Sequence, residues 1–294
     1  MTGAPLFRSL RLVLEMIKFE HTIFALPFAL IGMLLAARGW PAGRTALWIV
    51  VAMVGARSAA MGWNRYADRD LDAENPRTKG RALPAGLLAP GFVLAFVAAS
   101  LALLLLAAWK LNPLCLALSP IAIAILLGYS YAKRFTWAAH LVLGLALAGA
   151  PLGGWIAVRG AVEATPLLLA AAVLTWVAGF DVLYALQDEQ HDRGAGLFSI
   201  PARFGARGAL AISAALHLAT LALLAVLPFV YPGGLGAAWW VGVAGCAALL
   251  SWQHAIVRPN DLARLDAAFF SANGLLAVWL FALTAVDLLL RPHG

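Results

Sequence analysis

Two stretches of this 294-residue chain place carboxylates at a spacing that a metal ion could use. The first reads Asn64-Arg-Tyr-Ala-Asp68-Arg-Asp-Leu-Asp72 and the second Asp181-Val-Leu-Tyr184-Ala-Leu-Gln-Asp188-Glu-Gln-His-Asp192. Residues four apart on a helix are neighbours, so Asn64, Asp68 and Asp72 are expected on one face, with Arg57 seven residues earlier on the same stripe. Asp181, Tyr184, Asp188 and Asp192 are expected on another. Like charges at this spacing destabilise a helix unless something bridges them. Oxygen-only ligands suit a hard cation such as Mg²⁺, which takes one or two carboxylates and draws the rest of its shell from water and substrate phosphates. Two Mg²⁺ ions would balance the formal charge of Asp68, Asp72, Asp188 and Asp192. A diphosphate held on them brings further negative charge, and Lys18, Lys79, Arg81, Lys133 and Arg134 are the basic residues placed to receive it. One such cluster alone reads as a charged helix end. Two copies, with Asp68 and Asp188 120 residues apart, point to chemistry and to an internal pseudo-repeat.

The elements that carry these residues must be membrane helices. Hydrophobic residues make up 63% of the chain and charged residues 12%, against about 25% charged in a soluble domain. The mean hydropathy is +0.87. A bilayer supplies the solvent that such a surface needs, and each crossing takes about 20 apolar residues. The expectation is therefore one all-α integral-membrane domain over 1–294. Nine segments fit, near 12–37, 45–66, 88–109, 113–131, 138–158, 165–187, 209–230, 236–256 and 267–290, with Pro27, Pro120 and Pro151 inside three of them. Prolines there kink a helix and leave carbonyls free to line a cavity. Fifteen of the 21 Lys and Arg fall in the N-terminal segment and the loops after segments 2, 4, 6 and 8, against five on the other side. The positive-inside rule then puts the N-terminus and the basic loops in the cytoplasm of a multi-pass plasma (inner) membrane protein, and the C-terminus outside. The acidic residues share this side, apart from Glu163 and Asp287. The net charge of +7 is what basic loops facing an anionic leaflet produce, so membrane lipid is an expected partner and nucleic acid is not. Cys115 and Cys246 read as small buried hydrophobes, and no cleavage site marks a removable signal peptide.

With both motifs in view, the chain resembles the UbiA superfamily of intramembrane prenyltransferases. Asn64-x-x-x-Asp68-x-x-x-Asp72 and Asp188-x-x-x-Asp192 look like that family's two aspartate-rich motifs, which bind the diphosphate of a polyprenyl donor through Mg²⁺. Tyr129-Ser-Tyr-Ala-Lys133-Arg134 looks like its Tyr-x-x-x-Lys motif. The resemblance implies nine transmembrane helices in a UbiA-type bundle around a central cavity. Within the family, Lys18-Phe-Glu-His21-Thr-Ile-Phe-Ala-Leu-Pro27, Asn75-Pro-Arg-Thr-Lys-Gly-Arg-Ala-Leu-Pro84 and Gly196-Leu-Phe-Ser-Ile-Pro201 are most like the 4-hydroxybenzoate polyprenyltransferase branch. They are especially like its menaquinone-associated members, whose acceptor is 1,4-dihydroxy-6-naphthoate. Many members have Asp directly after the motif Asn. This chain has Arg65, which removes one possible metal ligand and favours the naphthoate type.

The resemblance implies a polyprenyl diphosphate donor, an aromatic acid acceptor and Mg²⁺, with metals and basic groups stabilising charge on the leaving diphosphate. Asp181, deeper than Asp188, is expected to orient or deprotonate the acceptor, with Tyr184 on the same stripe as a further catalytic candidate. Arg57, an intramembrane cation, is expected either to hold the acceptor carboxylate or to pair with Asp181. His21 is an acceptor-side candidate. His140, His217 and His254 read as isolated structural residues, His191 as a solvated loop position, and the Trp residues mostly as interface anchors, with Trp63 a possible cavity wall. The rival from another class is a secondary transporter, which also uses intramembrane Asp and Arg but sets them near the midplane. Within the fold, the rival is haem- or chlorophyll-type prenyl transfer.

Overall fold

A computed structural model describes residues 11–18, 22–258, 265 and 267–290. The architecture is all-helical across these residues. The helices are α1 (Thr22–Ala37), α2 (Gly43–Ala67), α3 (Arg69–Glu74), α4 (Pro90–Leu111), α5 (Pro113–Gly128), α6 (Ala139–Arg159), α7 (Ala164–Tyr184), α8 (Glu189–Gly194), α9 (Ile200–Val230), α10 (Ala237–Ile256) and α11 (Asn273–Leu289). Tyr129–Arg134 and Ala185–Asp188 are 3₁₀ turns, and Ala267–Ala272 is a π turn leading into α11. Seven helical stretches among the described residues are long and apolar enough to cross a membrane. The expected first and eighth crossings are present as helices but fall outside those seven: α1 is short, and α10 carries Gln253 and His254 in its last turn.

Local chemistry explains most of the helix ends. Asn112 caps α5 by accepting from the Cys115 N–H at 2.9 Å, and Pro113 fills the first turn, where no N–H is needed. Ser199 and Pro201 do the same for α9. That cap starts α9 at Ile200, well before the expected 209. The early start is compatible with a separate crossing because Gly205 breaks the helix at φ 71°, ψ 173°, a conformation that glycine adopts without strain. Asp287 accepts from the Gly236 N–H at both carboxylate oxygens and from the Trp239 N–H, holding the N-terminus of α10.

In lipid there is little hydrophobic drive between helices, so close backbone approach through small residues does the work. Helix α1 packs extensively on α6, α7 packs on α6 and α9, and α2 packs on α4. The α1–α6 crossing is reciprocal: Gly154 lies against the Ala29 carbonyl and Gly32 against the Pro151 carbonyl, with no room for a Cβ at either. Gly154→Val should therefore force the pair apart, at about 1–3 kcal/mol for overpacking. The expected readout is a thermal midpoint several degrees lower in detergent; an unchanged midpoint would show that this crossing is not tight.

Several tryptophans turn out to be core residues. Trp176 and Trp239 are fully buried and donate to Asn273 Oδ1 at 3.0 Å and to the Leu224 carbonyl at 3.2 Å. Trp40 and Trp109, near helix ends, are exposed as interface anchors would be.

Candidate functional site

A cavity of about 640 Å³ lies between α1, α2, α4, α5, α6 and α7. Its walls are aliphatic almost throughout, and Arg57 and Asp181 are the charged residues among those that line it. Ile121, Leu145 and Leu167 line the cavity and are also exposed, so it reaches the apolar outer surface. Three of its lining residues lead directly into the polar motifs. Arg57 lies seven residues before Asn64, Asp181 seven before Asp188, and Tyr129 opens the 3₁₀ turn that holds Lys133 and Arg134. Seven helical residues cover about 10 Å, so the apolar chamber and the charged cluster are adjacent compartments. The Tyr129 hydroxyl donates to the Ala60 carbonyl of α2 at 3.4 Å, tying the turn to the first motif's helix.

The aspartates do not lie on unbroken helical stripes. Helix α2 ends at Ala67, and Asp68 takes φ −96°, ψ 5° before α3 begins. Asp188 takes φ −101°, ψ 0° before α8. Both are in the sparsely populated bridge region, where many active-site residues sit, and Asp favours such breaks because its side chain competes for backbone hydrogen bonds. Asp68 and Asp188 thus take matching conformations, each just before a short helix.

Each break turns its carboxylate toward cations. Asp68 and Asp72 are only 4% and 5% exposed, so their charge has to be matched nearby. Asp68 accepts from Arg134 Nη2 at 3.1 Å and Asn64 Nδ2 at 3.0 Å, with Lys133 Nζ at 3.7 Å. Asp72 accepts twice from Arg81 Nη1, at 2.7 and 2.8 Å, with Arg65 Nη1 at 4.0 Å. Asp188 is gripped by Arg77 through Nε at 2.9 Å and Nη2 at 2.5 Å, and by Asn75 Nδ2 at 3.1 Å. Asp192 is also buried, within the electrostatic reach of Lys133 and Asp188. The segment after the first motif thus crosses to the second. The second motif's loop returns the link, with the Phe198 N–H donating to the Lys133 carbonyl at 2.7 Å. Burial by itself would lower the Arg77 pKa, but the hydrogen bonds and charge of Asp188 outweigh it and hold the guanidinium above its usual value.

Among the described residues, no three His, Cys, Asp or Glu side chains converge as a ready-made metal cage. The donor set still fits Mg²⁺, because that ion needs only one or two carboxylates when a substrate phosphate completes its shell. Arg77, Arg81, Lys133 and Arg134 balance the aspartates in the structure.

The expected residues are distributed unevenly. Asn64, Asp68, Asp72, Arg81, Lys133, Arg134, Asp188 and Asp192 come together at this cluster. Lys79 is exposed and makes no ion pair among the described residues. Lys18 is exposed, and its carbonyl accepts from Arg57 Nη2 at 3.0 Å. His21 lies outside the described residues. Tyr184 is not among the cavity-lining residues; its ring stacks on Phe269 with centroids 4.2 Å apart and lies under Arg77. Of the two roles left open for Arg57, pairing with Asp181 is not formed. Asp181 Oδ2 instead bonds His140 Nδ1 at 2.7 Å. His140 is therefore not isolated, and neither are His217 and His254, whose Nδ1 and Nε2 are 2.8 Å apart. The sequence reading missed Arg77, Asn75 and His140. The first two lie in the Asn75–Pro84 stretch already singled out, whereas no local signal marks His140. Arg65, read only as a lost ligand, is a half-buried cation that donates to Asn64 Oδ1 at 3.3 Å and to the Met16 carbonyl at 3.3 Å.

Known proteins resemble this chain in sequence and fold. Residues 25–283 match the UbiA prenyltransferase family. A 4-hydroxybenzoate octaprenyltransferase from Alkalilimnicola ehrlichii is 33% identical over 268 residues, covering 89% of this chain and 87% of that protein. One of the same name from Ralstonia nicotianae is 35% identical over 232 residues, 78% of each. A UbiA homolog from Aeropyrum pernix K1 superposes with a TM-score of 0.83 at 39% identity, covering 91% of this chain and 98% of that one. A UbiA homolog from Archaeoglobus fulgidus bound to DMAPP and Mg²⁺ shares the fold at 20% identity, with a TM-score of 0.73 over 95% of this chain and 99% of that one.

Proposed function

Because this chain belongs to the UbiA prenyltransferase family, we propose that it transfers a polyprenyl group from a polyprenyl diphosphate to a ring carbon of a hydroxylated aromatic acid. The acceptor class is that of 4-hydroxybenzoate or 1,4-dihydroxy-6-naphthoate, in quinone biosynthesis. The observation that carries this reading is the two-compartment site: paired aspartates and basic residues abut an apolar chamber whose charged lining residues are Arg57 and Asp181. The chamber suits a prenyl chain, and its opening at Ile121, Leu145 and Leu167 suits entry from lipid. The named relatives at 33–35% identity support the benzoate-type acceptor, while Arg65 and the three flanking segments favour the naphthoate type.

In this reading Asn64, Asp68, Asp72, Asp188 and Asp192 would hold Mg²⁺, two ions by charge balance. Bound Mg²⁺ supplies Lewis-acid stabilisation of charge on the leaving diphosphate. Arg77, Arg81, Lys133 and Arg134 exchange their aspartate partners for diphosphate oxygens, with Lys18, Lys79 and Tyr129 at the margin. The allylic C–O bond breaks and its electron pair leaves with the diphosphate. A C–C bond forms from the ring's π electrons beside a hydroxyl, and one proton passes from the acceptor to Asp181. Arg57 holds the acceptor carboxylate about 10 Å deeper along its helix than Asn64; His21 stays an acceptor-side candidate on the sequence alone. Tyr184 acts here by seating Arg77 rather than by touching the acceptor. The membrane arrangement that goes with this is nine crossings, α1 and α10 included, in the plasma membrane, with the N-terminus and the charged cluster cytoplasmic and the C-terminus outside. A transporter would set its charges near the midplane; here they gather at one end of the helices.

The test is a screen of purified protein in detergent with Mg²⁺, prenyl diphosphates of several lengths and a panel of acceptors, read by mass spectrometry. C-prenylated benzoate or naphthoate is the expected product. Prenylated haem precursors or chlorophyllide, with the aromatic acids inert, would move the chain to the other branch of the fold.

A further inference from the structure

We propose that His140 is a positioning residue that holds the Asp181 carboxylate toward the acceptor. The inference rests on the reading of Asp181 as the group that takes the acceptor's proton.

His140 lies in the first turn of α6, and its side chain is 6% exposed against 24% for that of Asp181 on α7. Its two ring nitrogens are both engaged, and by different elements. Nε2 accepts from the Ile200 backbone N–H at 3.3 Å. Ile200 is the first residue of α9, where backbone N–H groups have no partner within the helix. An imidazole nitrogen that accepts carries no proton, so in the neutral ring the proton is on Nδ1. Nδ1 then donates to Asp181 Oδ2 at 2.7 Å. The bond at one nitrogen sets the tautomer at the other. The carboxylate is thereby held through Oδ2, and its remaining lone pairs are left for the chamber that Asp181 lines. Ile200 follows the loop whose Phe198 N–H reaches the Lys133 carbonyl, and whose Leu197 N–H reaches the Asp192 carbonyl at 2.8 Å. His140 therefore joins the backbone behind the second motif to the acceptor-side carboxylate, and places Asp181 relative to the diphosphate cluster.

The two bonds can be separated by isosteres. An Asn amide N–H overlays the Nδ1–H position, and a Gln carbonyl overlays the Nε2 acceptor. In the full chain, His140→Asn should keep kcat within a few-fold of the parent, because it can still donate to Asp181. His140→Gln and His140→Ala should each lower kcat on the order of 10–100-fold, the range seen when outer partners of site groups are removed, with the KM for the prenyl diphosphate unchanged. Thermal midpoints in detergent should follow the opposite order, with His140→Gln closer to the parent because it can still accept from Ile200. If His140 only caps α9, activity will follow the midpoints and the Gln variant will be the active one, which overturns the proposal. Side-chain ¹⁵N shifts of the labelled full chain give a readout that needs no turnover: a protonated Nδ1 is expected, and a protonated Nε2 overturns the proposal as well. A parent protein that shows the Nδ1–H tautomer but prenylates no aromatic acid would count against the function proposed above and leave the His140–Asp181 bond in place.

Discussion

Asp68→Asn and Asp188→Asn should each lower turnover on the order of a thousandfold. Losing metal-borne stabilisation of the leaving group costs several kcal/mol of the barrier, and each 1.36 kcal/mol is a factor of ten. The asparagine variants are the informative ones because they remove charge with little change of volume. Truncating one partner of a buried ion pair can cost 3–5 kcal/mol of stability by stranding the other, and Asp68→Ala or Asp188→Ala would mix that effect with the chemistry. In Asp68→Asn, Arg134 keeps its bond to the Ala67 carbonyl at 2.6 Å. In Asp188→Asn, Asn75 keeps its backbone links to Thr78 and Lys79. The two variants should fail alike, since each motif sits at its own helix break and holds its own arginine. EDTA should abolish activity in the parent, and Mg²⁺ should restore it. Turnover that survives EDTA, or that persists in both variants, would end the metal assignment.

Arg57→Gln should raise the acceptor KM by roughly 30-fold or more while leaving the donor KM nearly unchanged. Removing one member of a buried, hydrogen-bonded charge pair typically costs 2–5 kcal/mol, and 1.4 kcal/mol is tenfold in affinity. Arg57 lines the chamber and is anchored through Nη2 to the Lys18 carbonyl. Asp181 bonds His140 instead, so the two charged lining residues have separate tasks available to them. The variant should also lose the preference for an aromatic acid over the same phenol without its carboxylate. Measuring both acceptors side by side checks this. Unaltered selectivity in a folded variant would show that Arg57 supports the N-terminal segment and that the acceptor carboxylate binds elsewhere.

Much of the molecule is legible in its sequence. Composition decides that the chain needs a bilayer, because 12% charged residues cannot cover a water-facing surface. Apolar run lengths place the helices to within a few residues where caps are ordinary, as at Pro113 and Ala164. Spacing and residue chemistry mark both aspartate motifs and the Lys133–Arg134 pair, since carboxylates four apart are unfavourable without cations. All of these are local properties, readable over one or two helical turns.

What the sequence could not decide was which charges meet. It marks Lys79 and Arg81 but passes over Arg77, because the direction of each side chain in the Asn75–Arg81 turn depends on how that turn meets Asp188. It puts Asp68 and Asp188 at helix ends but carries the helical stripe on to Asp72 and Asp192, because helix propensity does not register a break stabilised by partners on other elements. From matching depth alone it offers Arg57 either as the mate of Asp181 or as the holder of the acceptor carboxylate. The partner is His140, 41 residues away on a helix that faces Asp181 only after α6, α7 and α9 have packed. Depth along a helix follows from counting residues. Azimuth between helices follows from close contacts such as Gly32 against Pro151 and Gly154 against Ala29, and these are set by the assembled bundle.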